Sequence, residues 1–465
     1  MTNEFNLSSE EIHEQQLTMK IDEILPPANK VELTKEPVPS EQPKESAETP
    51  EKAPLPKLPQ NPVVRKPAAP LSDMEVMEHT AGIWHYMDII DNGTEMHTES
   101  HQKHTAAPFG EVIGARVRGK KHKHEGTNCD DYLETAVTED FAVAVVCDGA
   151  GSKPLSRIGS RVSAETAVSF LKKSLSELFM QMPELKSGLS ADLSSAEFMA
   201  ACGRIAPLIR QSAQEAFKAQ REELTRISAD EKYQTALGRA PTLSDLSTTF
   251  LAAVVIPVTV NGVRETFMAC VQVGDGCICA LDSSADSAKC LRLMGEADSG
   301  AFSGETDFLS EKTVKPDVLG AKTRISRGSS DTILLMSDGV ADDYFPANPM
   351  MERLYLDLQM NGIIPIEGKI PPSEDPAPIR FKCVSQSQQS VALQYTKQLL
   401  SSKSEDEMRA LWDKRDALKC HSLEAFRINI GDTPEERLCV WLDNYNERGS
   451  FDDRTLVCIR IFRNS

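Results

Sequence analysis

Four apolar runs of the sequence carry carboxylates at one end. Two of the runs finish in Asp-Gly and the other two are preceded by Asp-Asp: Asp148-Gly149 after AVAVVC, Asp338-Gly339 after TILLMS, Asp130-Asp131 before YLETAV, and Asp452-Asp453 before RTLVCIRIF. Asp-Gly on its own is typical of a tight turn. It equally suits a metal site, in which a strand positions a carboxylate and glycine exposes a backbone carbonyl. Both interpretations stay open at this point.

Carboxylates gathered at one end of a sheet would repel one another unless a cation neutralised them. Mg²⁺ and Mn²⁺ take carboxylate, carbonyl and water oxygens as ligands. No histidine stands beside the Asp-Gly pairs, which disfavours a zinc or iron centre. If the strand ends meet, the sequence therefore predicts an oxygen-only site for Mg²⁺ or Mn²⁺.

The apolar runs are rich in β-branched residues and predict strands. These strands cover residues 111–119, 132–147, 247–258, 264–274, 277–282, 331–337 and 454–462. Long helical patterns cover residues 154–182, 193–226, 388–414 and 435–446. Because strands follow one another and the helices cluster, the order favours an α+β fold with two sheets and helices outside, over a strict βαβ alternation.

Several short motifs resemble, in their order along the chain, those of the metal-dependent protein phosphatase 2C (PPM) family. The motifs are VRGKKHKHEGTNCDD, VVCDGAGS, STTFLAAVV, VQVGDG, LLMSDGVADD and FDDRTLV. The resemblance is greatest to the bacterial branch and covers about residues 110–345 and 450–462. Each motif alone is weak evidence for the family, but six motifs in the family's order make a specific signal. The resemblance implies a four-layer α-β-β-α sandwich of two antiparallel sheets flanked by helices.

The resemblance also implies an activity, the metal-dependent hydrolysis of phosphoserine and phosphothreonine in proteins. Two Mn²⁺ or Mg²⁺ ions, with a third in some members, would share a bridging hydroxide that attacks phosphorus in line. No covalent enzyme intermediate is needed, so we expect Cys129 and Cys147 to have packing roles. The expected partners are phosphorylated proteins and a Ser/Thr kinase that produces them.

Individual residues match the family's metal ligands. Asp148 resembles the carboxylate that bridges two ions, and the Gly149 carbonyl would bind one of them. Asp338 and Asp452 match ligands in the second Asp-Gly motif and in the Asp-Asn-x-Thr motif, written here Asp-Asp-Arg-Thr. Asp275, within Gly-Asp-Gly, matches a structural turn and receives no metal. The further metal candidates are the early pair Asp130 and Asp131, and for a third ion Asp342 and, by a poorer spacing, Asp245.

Two positions depart from the family's pattern. Ala150 stands where animal relatives often have a histidine, and Gly126 stands where they have a phosphate-binding arginine. His122 is the alternative acid or phosphate ligand, unless it is a solvated histidine in the basic run KKHKH. Arg118 and Arg157 are the candidates for binding phosphate, although either could be a surface charge.

The composition excludes some function classes. The chain of 465 residues has a net charge of −19, with 70 acids against 51 bases. This balance argues against a nucleic-acid binder, which neutralises phosphates with Lys and Arg. The first residues lack the regions of a signal peptide, and no apolar run approaches the roughly 18 residues of a membrane span. We therefore expect a cytoplasmic protein that binds neither nucleic acid nor membranes.

The chain divides into segments that differ in amino-acid composition and hydrophobic pattern. Residues 1–25 suggest a short helix that docks a partner, or else a terminus without function. Residues 26–71 are rich in Pro, Lys and Glu and predict a disordered linker, and residues 72–109 receive no assignment. A phosphatase domain is expected over 110–465, with a helical insertion at about 346–434 that is either regulatory or inert.

Two other functions compete with a protein phosphatase. A pseudophosphatase or phosphoprotein-binding scaffold would keep the fold without the reaction. The full set of Asp148, Asp338 and Asp452 argues against this alternative, whereas the missing arginine keeps it open. A phosphatase acting on small phosphoesters would differ only in the surroundings of the metals.

Overall fold

Two antiparallel sheets, each of six strands, form the centre of the computed structural model. It describes residues 18–20, 85–282, 291–295, 306–344, 347–364, 432–444 and 451–463. The strands are β1 (Thr18–Lys20), β2 (Ser100–Ala107), β3 (Gly110–Val117), β4 (Tyr132–Val137), β5 (Ala142–Cys147), β6 (Phe250–Val260), β7 (Val263–Val273), β8 (Cys277–Leu281), β9 (Leu291–Leu293), β10 (Thr323–Gly328), β11 (Thr332–Met336) and β12 (Arg454–Ile461). One sheet has the order β1-β10-β7-β6-β5-β4 and the other β2-β3-β12-β11-β8-β9.

Helices lie outside both sheets. They are α1 (Lys120–Glu125), α2 (Ser156–Gln181), α3 (Leu185–Ser190), α4 (Ala196–Ser228), α5 (Glu231–Leu237), α6 (Pro316–Lys322), α7 (Asp338–Ala341), α8 (Ala347–Met360) and α9 (Pro434–Asn444). Two short 3₁₀ turns cover Leu243–Leu246 and Asp342–Tyr344. Among the described helices, none is long and apolar enough to cross a membrane.

The side chains of β5 face alternate sides of their sheet, which explains how the layers of the fold pack together. Val143 and Val145 pack against α2 and α4, whereas Ala144 and Val146 pack against the opposite sheet. Successive strand residues face opposite sides, so a strand covered on both sides is apolar throughout. Helices α7, α8 and α9 cover the outer face of the second sheet. The result is a four-layer α-β-β-α sandwich, which confirms the fold class predicted from the sequence.

Strand register brings the acidic strand ends to one edge of the sandwich. Tyr132 at the start of β4 lies opposite Cys147 at the end of β5. In the other sheet, Met336 at the end of β11 lies opposite Cys277 and Leu456, which stand at or near the starts of β8 and β12. Because the pairing is antiparallel, the ends of β5 and β11 share this edge with the starts of β4, β8 and β12.

Some sequence-based expectations differ from the structure. Residues 132–147 form a hairpin, since Thr138–Phe141 make a turn closed by the Thr138 amide and the Phe141 carbonyl. Strands β2, β9 and β10 were not predicted. Thr18–Lys20 pair with β10 as a strand, where a helix was expected. The rest of residues 1–25, the predicted linker 26–71 and the predicted helix 388–414 lie outside the described residues.

Candidate metal centre

The turn after β5 fixes the backbone of Asp148. Its carbonyl accepts hydrogen bonds from Thr248 Oγ1 (2.7 Å) and from the Thr249 amide (2.8 Å). Its own amide donates to Thr249 Oγ1 (2.9 Å), and Gly149 forms an isolated bridge with Thr248. Residues just before β6 therefore occupy both the backbone amide and the backbone carbonyl of Asp148. Its side-chain carboxylate is left for other partners.

Three carboxylates from different strand ends meet at this turn. Oxygens of Asp148, Asp275 and Asp338 all lie within 4.8 Å of one another. The sequence predicted only a turn role for Asp275. The turn is real, because Gly274 (φ +104°) and Gly276 (φ +88°) adopt left-handed conformations, but it also delivers the Asp275 carboxylate to the group. The available signal was its position two residues before β8, since Asp130-Asp131 and Asp452-Asp453 also precede strands.

A second group joins His122, Asp452 and Asp453, whose ligand atoms also lie within 4.8 Å of one another. Asp453 is buried and accepts hydrogen bonds from the amides of Gly119 (2.6 Å) and Asp130 (2.5 Å). His122 Nδ1 lies 2.9 Å from Asp453 Oδ1. His122 is itself only 3% exposed, so it is not the solvated histidine that a basic run suggests.

Close approach of the backbone at Asp452 and Asp453 requires glycines. A Cβ on Gly119 would lie 2.2 Å from the Asp452 carbonyl carbon, and one on Gly339 would lie 2.0 Å from the Asp453 carbonyl oxygen. No side chain fits at these separations, so both positions must be glycine. The two glycines bring the end of β3 and the start of α7 against the start of β12.

Within this centre, Oδ1 of Asp131 and Oδ1 of Asp338 are buried and have no hydrogen-bond partner among the described residues. The other oxygen of Asp131 accepts a hydrogen bond from Thr455 Oγ1 (2.6 Å). Leaving such an oxygen unpaired costs about 1–3 kcal/mol, and more when it is charged. A divalent cation would satisfy both atoms, and an all-oxygen donor set suits Mg²⁺ or Mn²⁺. The residues present therefore fit the metals that the family implies.

Burial, with mutual repulsion added to it, raises the pKa values of four carboxyls in this pocket. Burial and then the charge of Asp453 raise the pKa of Asp131 well above its usual range. Burial followed by the charges of Asp131 and Asp338 does the same to the pKa of Asp148. Burial is also the main reason that the pKa of Asp130 rises to about 7 and that of Asp338 to about 6. A cation would relieve this repulsion and favour the ionised forms.

His122 lies between two of the carboxylates. Its Nε2 atom is 3.9 Å from Asp130 Oδ2, while Nδ1 contacts Asp453. Burial opposes a charge on the ring, but the Asp453 charge and hydrogen bond outweigh it and raise the pKa of His122 to about 9. The neighbouring carboxylates therefore favour the protonated form of the imidazole.

The two candidates for a third ion differ in position. Asp342 follows α7, and burial, together with the charges of Asp275 and Asp452, raises its carboxyl pKa, so it borders the centre. Asp245 instead accepts hydrogen bonds from Arg239 and from the amide and hydroxyl of Thr242. These contacts form a capping box for the 3₁₀ turn, which gives Asp245 a structural role.

Both arginines singled out in the sequence hold the lead-in segment (residues 85–99). Arg118 is fully buried and donates to Glu99 Oε1 (2.6 Å) and to the Met87 carbonyl. Arg157 donates through Nε to the Glu95 carbonyl (2.7 Å) and through Nη2 to Thr94 Oγ1 (2.6 Å), and through Nη1 to the Pro154 carbonyl (2.7 Å). Since the lead-in segment occupies both guanidinium groups, we propose a phosphate-binding role for neither.

The cysteines next to the motifs are buried. Cys129 and Cys147 are both 0% exposed. Burial raises the pKa of each thiol well above its usual value, which keeps both protonated and unreactive. This placement agrees with the packing role expected for them.

Comparison with known proteins gives a family match. The family model described as "Protein phosphatase 2C" matches residues 118–361, just over half of the 465 residues. The match includes α1, the turn after β5 and α7. No curated protein matches the chain.

The solved structures that match the chain include phosphatases. Serine/threonine phosphatase Stp1 from Staphylococcus aureus is 12% identical over 81% of this chain and 98% of its own, with a TM-score of 0.32. Serine-threonine phosphatase 2C from Toxoplasma gondii is 10% identical over 78% of this chain and 99% of its own (TM-score 0.34). RsbX, determined in complex with magnesium, is 9% identical, and the match covers 78% of this chain and 100% of RsbX (TM-score 0.28). The family assignment rests on the matched residues 118–361.

Proposed function

The chain belongs to the protein phosphatase 2C family and is a metal-dependent protein serine/threonine phosphatase; we propose that its reaction takes place at the acidic edge of the sandwich. The observation that carries this location is the grouping of Asp148, Asp275 and Asp338 within 4.8 Å. These residues come from three different turns, so their convergence is a property of the fold and not of one acidic stretch.

The proposed ligands follow from the contacts at that edge. Asp148, Asp338 and Asp452 are the central carboxylates, with Asp131 and the Gly149 carbonyl beside them. Asp130, Asp275 and Asp342 complete the set that we propose for two or three ions. Mn²⁺ and Mg²⁺ are the ions that best suit carboxylate and carbonyl oxygens. When bound, they would supply an activated water and the positive charge that stabilises the phosphoryl oxygens.

The protein's own residues orient the centre. Asp453 accepts hydrogen bonds from the amides of Gly119 and Asp130, and this ties three chain segments together. It also occupies Nδ1 of His122, so only Nε2 of that ring is left to face a substrate. We propose that His122 acts through Nε2, either as the acid for the leaving serine or threonine oxygen or as a phosphate ligand.

The cellular setting forms part of the same proposal. The substrates would be phosphorylated proteins, and a Ser/Thr kinase must supply them, which gives the chain a signalling role. A cytoplasmic location, a bacterial origin and partner docking through residues 1–25 are further elements of this proposal. No observation among the described residues favours a pseudophosphatase, since Asp148, Asp338 and Asp452 are all present.

A substrate comparison tests the proposal. Purified protein is incubated with a phosphothreonine peptide, a phosphotyrosine peptide and a sugar phosphate, each with Mn²⁺, with Mg²⁺ or with EDTA. We expect hydrolysis of the phosphothreonine peptide that needs the metal and exceeds hydrolysis of the sugar phosphate. Faster hydrolysis of the sugar phosphate would favour the small-phosphoester alternative. Phosphopeptide binding without hydrolysis would favour the scaffold.

A further inference from the structure

A cationic side chain can stabilise the phosphoryl oxygens in addition to the metals. The position of the family's arginine is Gly126 in this chain. Arg118 and Arg157, the two candidates from the sequence, are occupied because both donate to the lead-in segment. A basic side chain that lies close to the carboxylates and that the fold leaves unpaired could fill this role.

Lys121 lies at the edge of the metal centre. Its amide donates to the Phe451 carbonyl (2.9 Å), which places it next to Asp452. Its Nζ atom and Nε2 of His122 each lie 4.0 Å from the point that a Cβ on Gly151 would occupy. Gly151 is exposed and stands three residues after Asp148. The Lys121 ammonium and the His122 Nε2 atom thus border an open space beside the turn that presents Asp148.

The charge of Lys121 is available. Its side chain is half-buried, and its ammonium makes no ion pair or hydrogen bond with any residue in the described part of the chain. Lys123, two positions along the same helix, is different because it forms an ion pair with Asp443. Of the three lysines in the basic run, Lys123 is therefore committed to an ion pair of the fold, whereas the ammonium of Lys121 borders the opening.

We propose that Lys121 is the phosphate-binding cation of this phosphatase. Its ammonium, together with Nε2 of His122, binds the phosphoryl oxygens of phosphoserine or phosphothreonine in the opening beside Gly151. An ammonium offers three donors on a flexible stem and binds phosphate as a compact point charge. This assignment rests on the proposed function, and it explains how the chain binds phosphate with glycine at position 126.

Substitution of Lys121 tests the assignment directly. In Lys121→Met, we expect KM for a phosphothreonine peptide to rise about tenfold or more, and inhibition by inorganic phosphate to weaken by a similar factor. Lys121→Arg should retain most of the affinity, because it keeps the charge. The Mn²⁺ concentration for half-maximal activity should not change. Lys123→Met is the matched control and should leave both affinities unchanged. Unaltered KM and phosphate inhibition in Lys121→Met, or equal losses in Lys123→Met, would overturn the proposal.

Gly151 offers a complementary test from the opposite side of the opening. A side chain there meets only ordinary contacts at 4.0 Å, and the backbone is not left-handed. Gly151→Asp would bring a carboxylate to Lys121 and compete with phosphate, whereas Gly151→Asn has nearly the same size without the charge. We expect Gly151→Asp, but not Gly151→Asn, to weaken inhibition by phosphate. The effect of Gly151→Asp should be smaller when Lys121→Met is also present, because the ammonium with which the carboxylate interacts is then absent. Equal effects of Asp and Asn would contradict the proposal.

A binding measurement separates this proposal from the proposed function. Titration of inorganic phosphate into the Mn²⁺-loaded protein by calorimetry requires no turnover. Weaker phosphate binding by Lys121→Met supports the assignment even if hydrolysis is absent, and unchanged binding refutes it. Absence of metal-dependent hydrolysis by the wild-type protein, in contrast, counts against the proposed function.

Discussion

Nδ1 of His122 lies 2.9 Å from Oδ1 of Asp453, although the two residues are 331 positions apart in the chain. Burial opposes the charge on Asp453, but the charge and hydrogen bond of His122 lower its pKa nonetheless. The pair is therefore ionised and buried, and it joins α1 to the start of β12. This contact fixes which nitrogen of His122 is available to a substrate.

His122→Ala should lower turnover, because it removes the group that we propose as acid or phosphate ligand. The wild-type rate should fall as pH rises through the pKa of His122 and the ring loses its proton. The variant, already slower, should lack that fall. The measurement is a pH–rate profile with Mn²⁺, with His124→Ala as the control from the same helix. Superimposable profiles for His122→Ala and the wild type would assign the histidine to structure alone.

Asp275→Asn should weaken metal binding, because it removes one charge from the group that contains Asp148 and Asp338. We expect the Mn²⁺ concentration for half-maximal activity to rise several-fold. Asp245→Asn is the matched control, since its side chain serves the 3₁₀ turn, and it should leave the Mn²⁺ dependence unchanged. Equal behaviour of the two variants would remove Asp275 from the ligand set.

Metal-free protein should become less stable as pH rises from about 4 to about 7. The pKa of Asp130 is about 7 when folded, above the roughly 3.9 of an unfolded chain. The folded state therefore binds more protons in this window, and the free energy of unfolding falls as the carboxyl ionises. Bound Mn²⁺ offsets this repulsion, so the rise in Tm on adding Mn²⁺ should grow with pH. Thermal melts in EDTA and in Mn²⁺ measure both effects, and a Tm in EDTA that is constant across this range would contradict them.

Gly339→Ala should destabilise the fold severely, by about 4 kcal/mol or more, because the new Cβ would lie 2.0 Å from the Asp453 carbonyl oxygen. Gly203→Ala, within α4, meets nothing within 4 Å. It should stabilise the protein slightly, since alanine favours helices. Chemical denaturation of both variants without metal gives the comparison. A stable Gly339→Ala protein would show that the backbones of α7 and of the start of β12 lie far enough apart to accommodate a Cβ.

The sequence predicted the strands whose apolar residues fill two interfaces. Strand β5 is an example, because burial on both faces makes it continuously hydrophobic. Strand β2 (SHQKHTAA) was missed because it is polar and mostly exposed along its length. Strand β10 was missed because its Arg327 is buried against the Leu189 and Ala191 carbonyls, an arrangement that depends on tertiary contacts and has no local signal.

The candidate site was predictable where acidic residues stand at strand ends, because antiparallel pairing carries those ends to one edge. The roles of Arg118 and Arg157 were not predictable, since both depend on the lead-in segment folding back over α1 and α2. Lys121 was hidden for a similar reason. Within KKHKH, nothing local distinguishes a lysine paired with Asp443 from one that faces the opening beside Gly151.

The most direct test of the central claim is Mn²⁺-dependent hydrolysis of p-nitrophenyl phosphate by the wild-type protein and by Asp148→Asn, each with Mn²⁺ and with EDTA. Asn keeps the shape of Asp148 but removes its charge, so circular dichroism should be unchanged. We expect wild-type activity that EDTA abolishes and Mn²⁺ restores, and Asp148→Asn activity no higher than that of the EDTA-treated wild type. Substantial Mn²⁺-dependent turnover in folded Asp148→Asn would contradict a catalytic metal centre at the acidic edge.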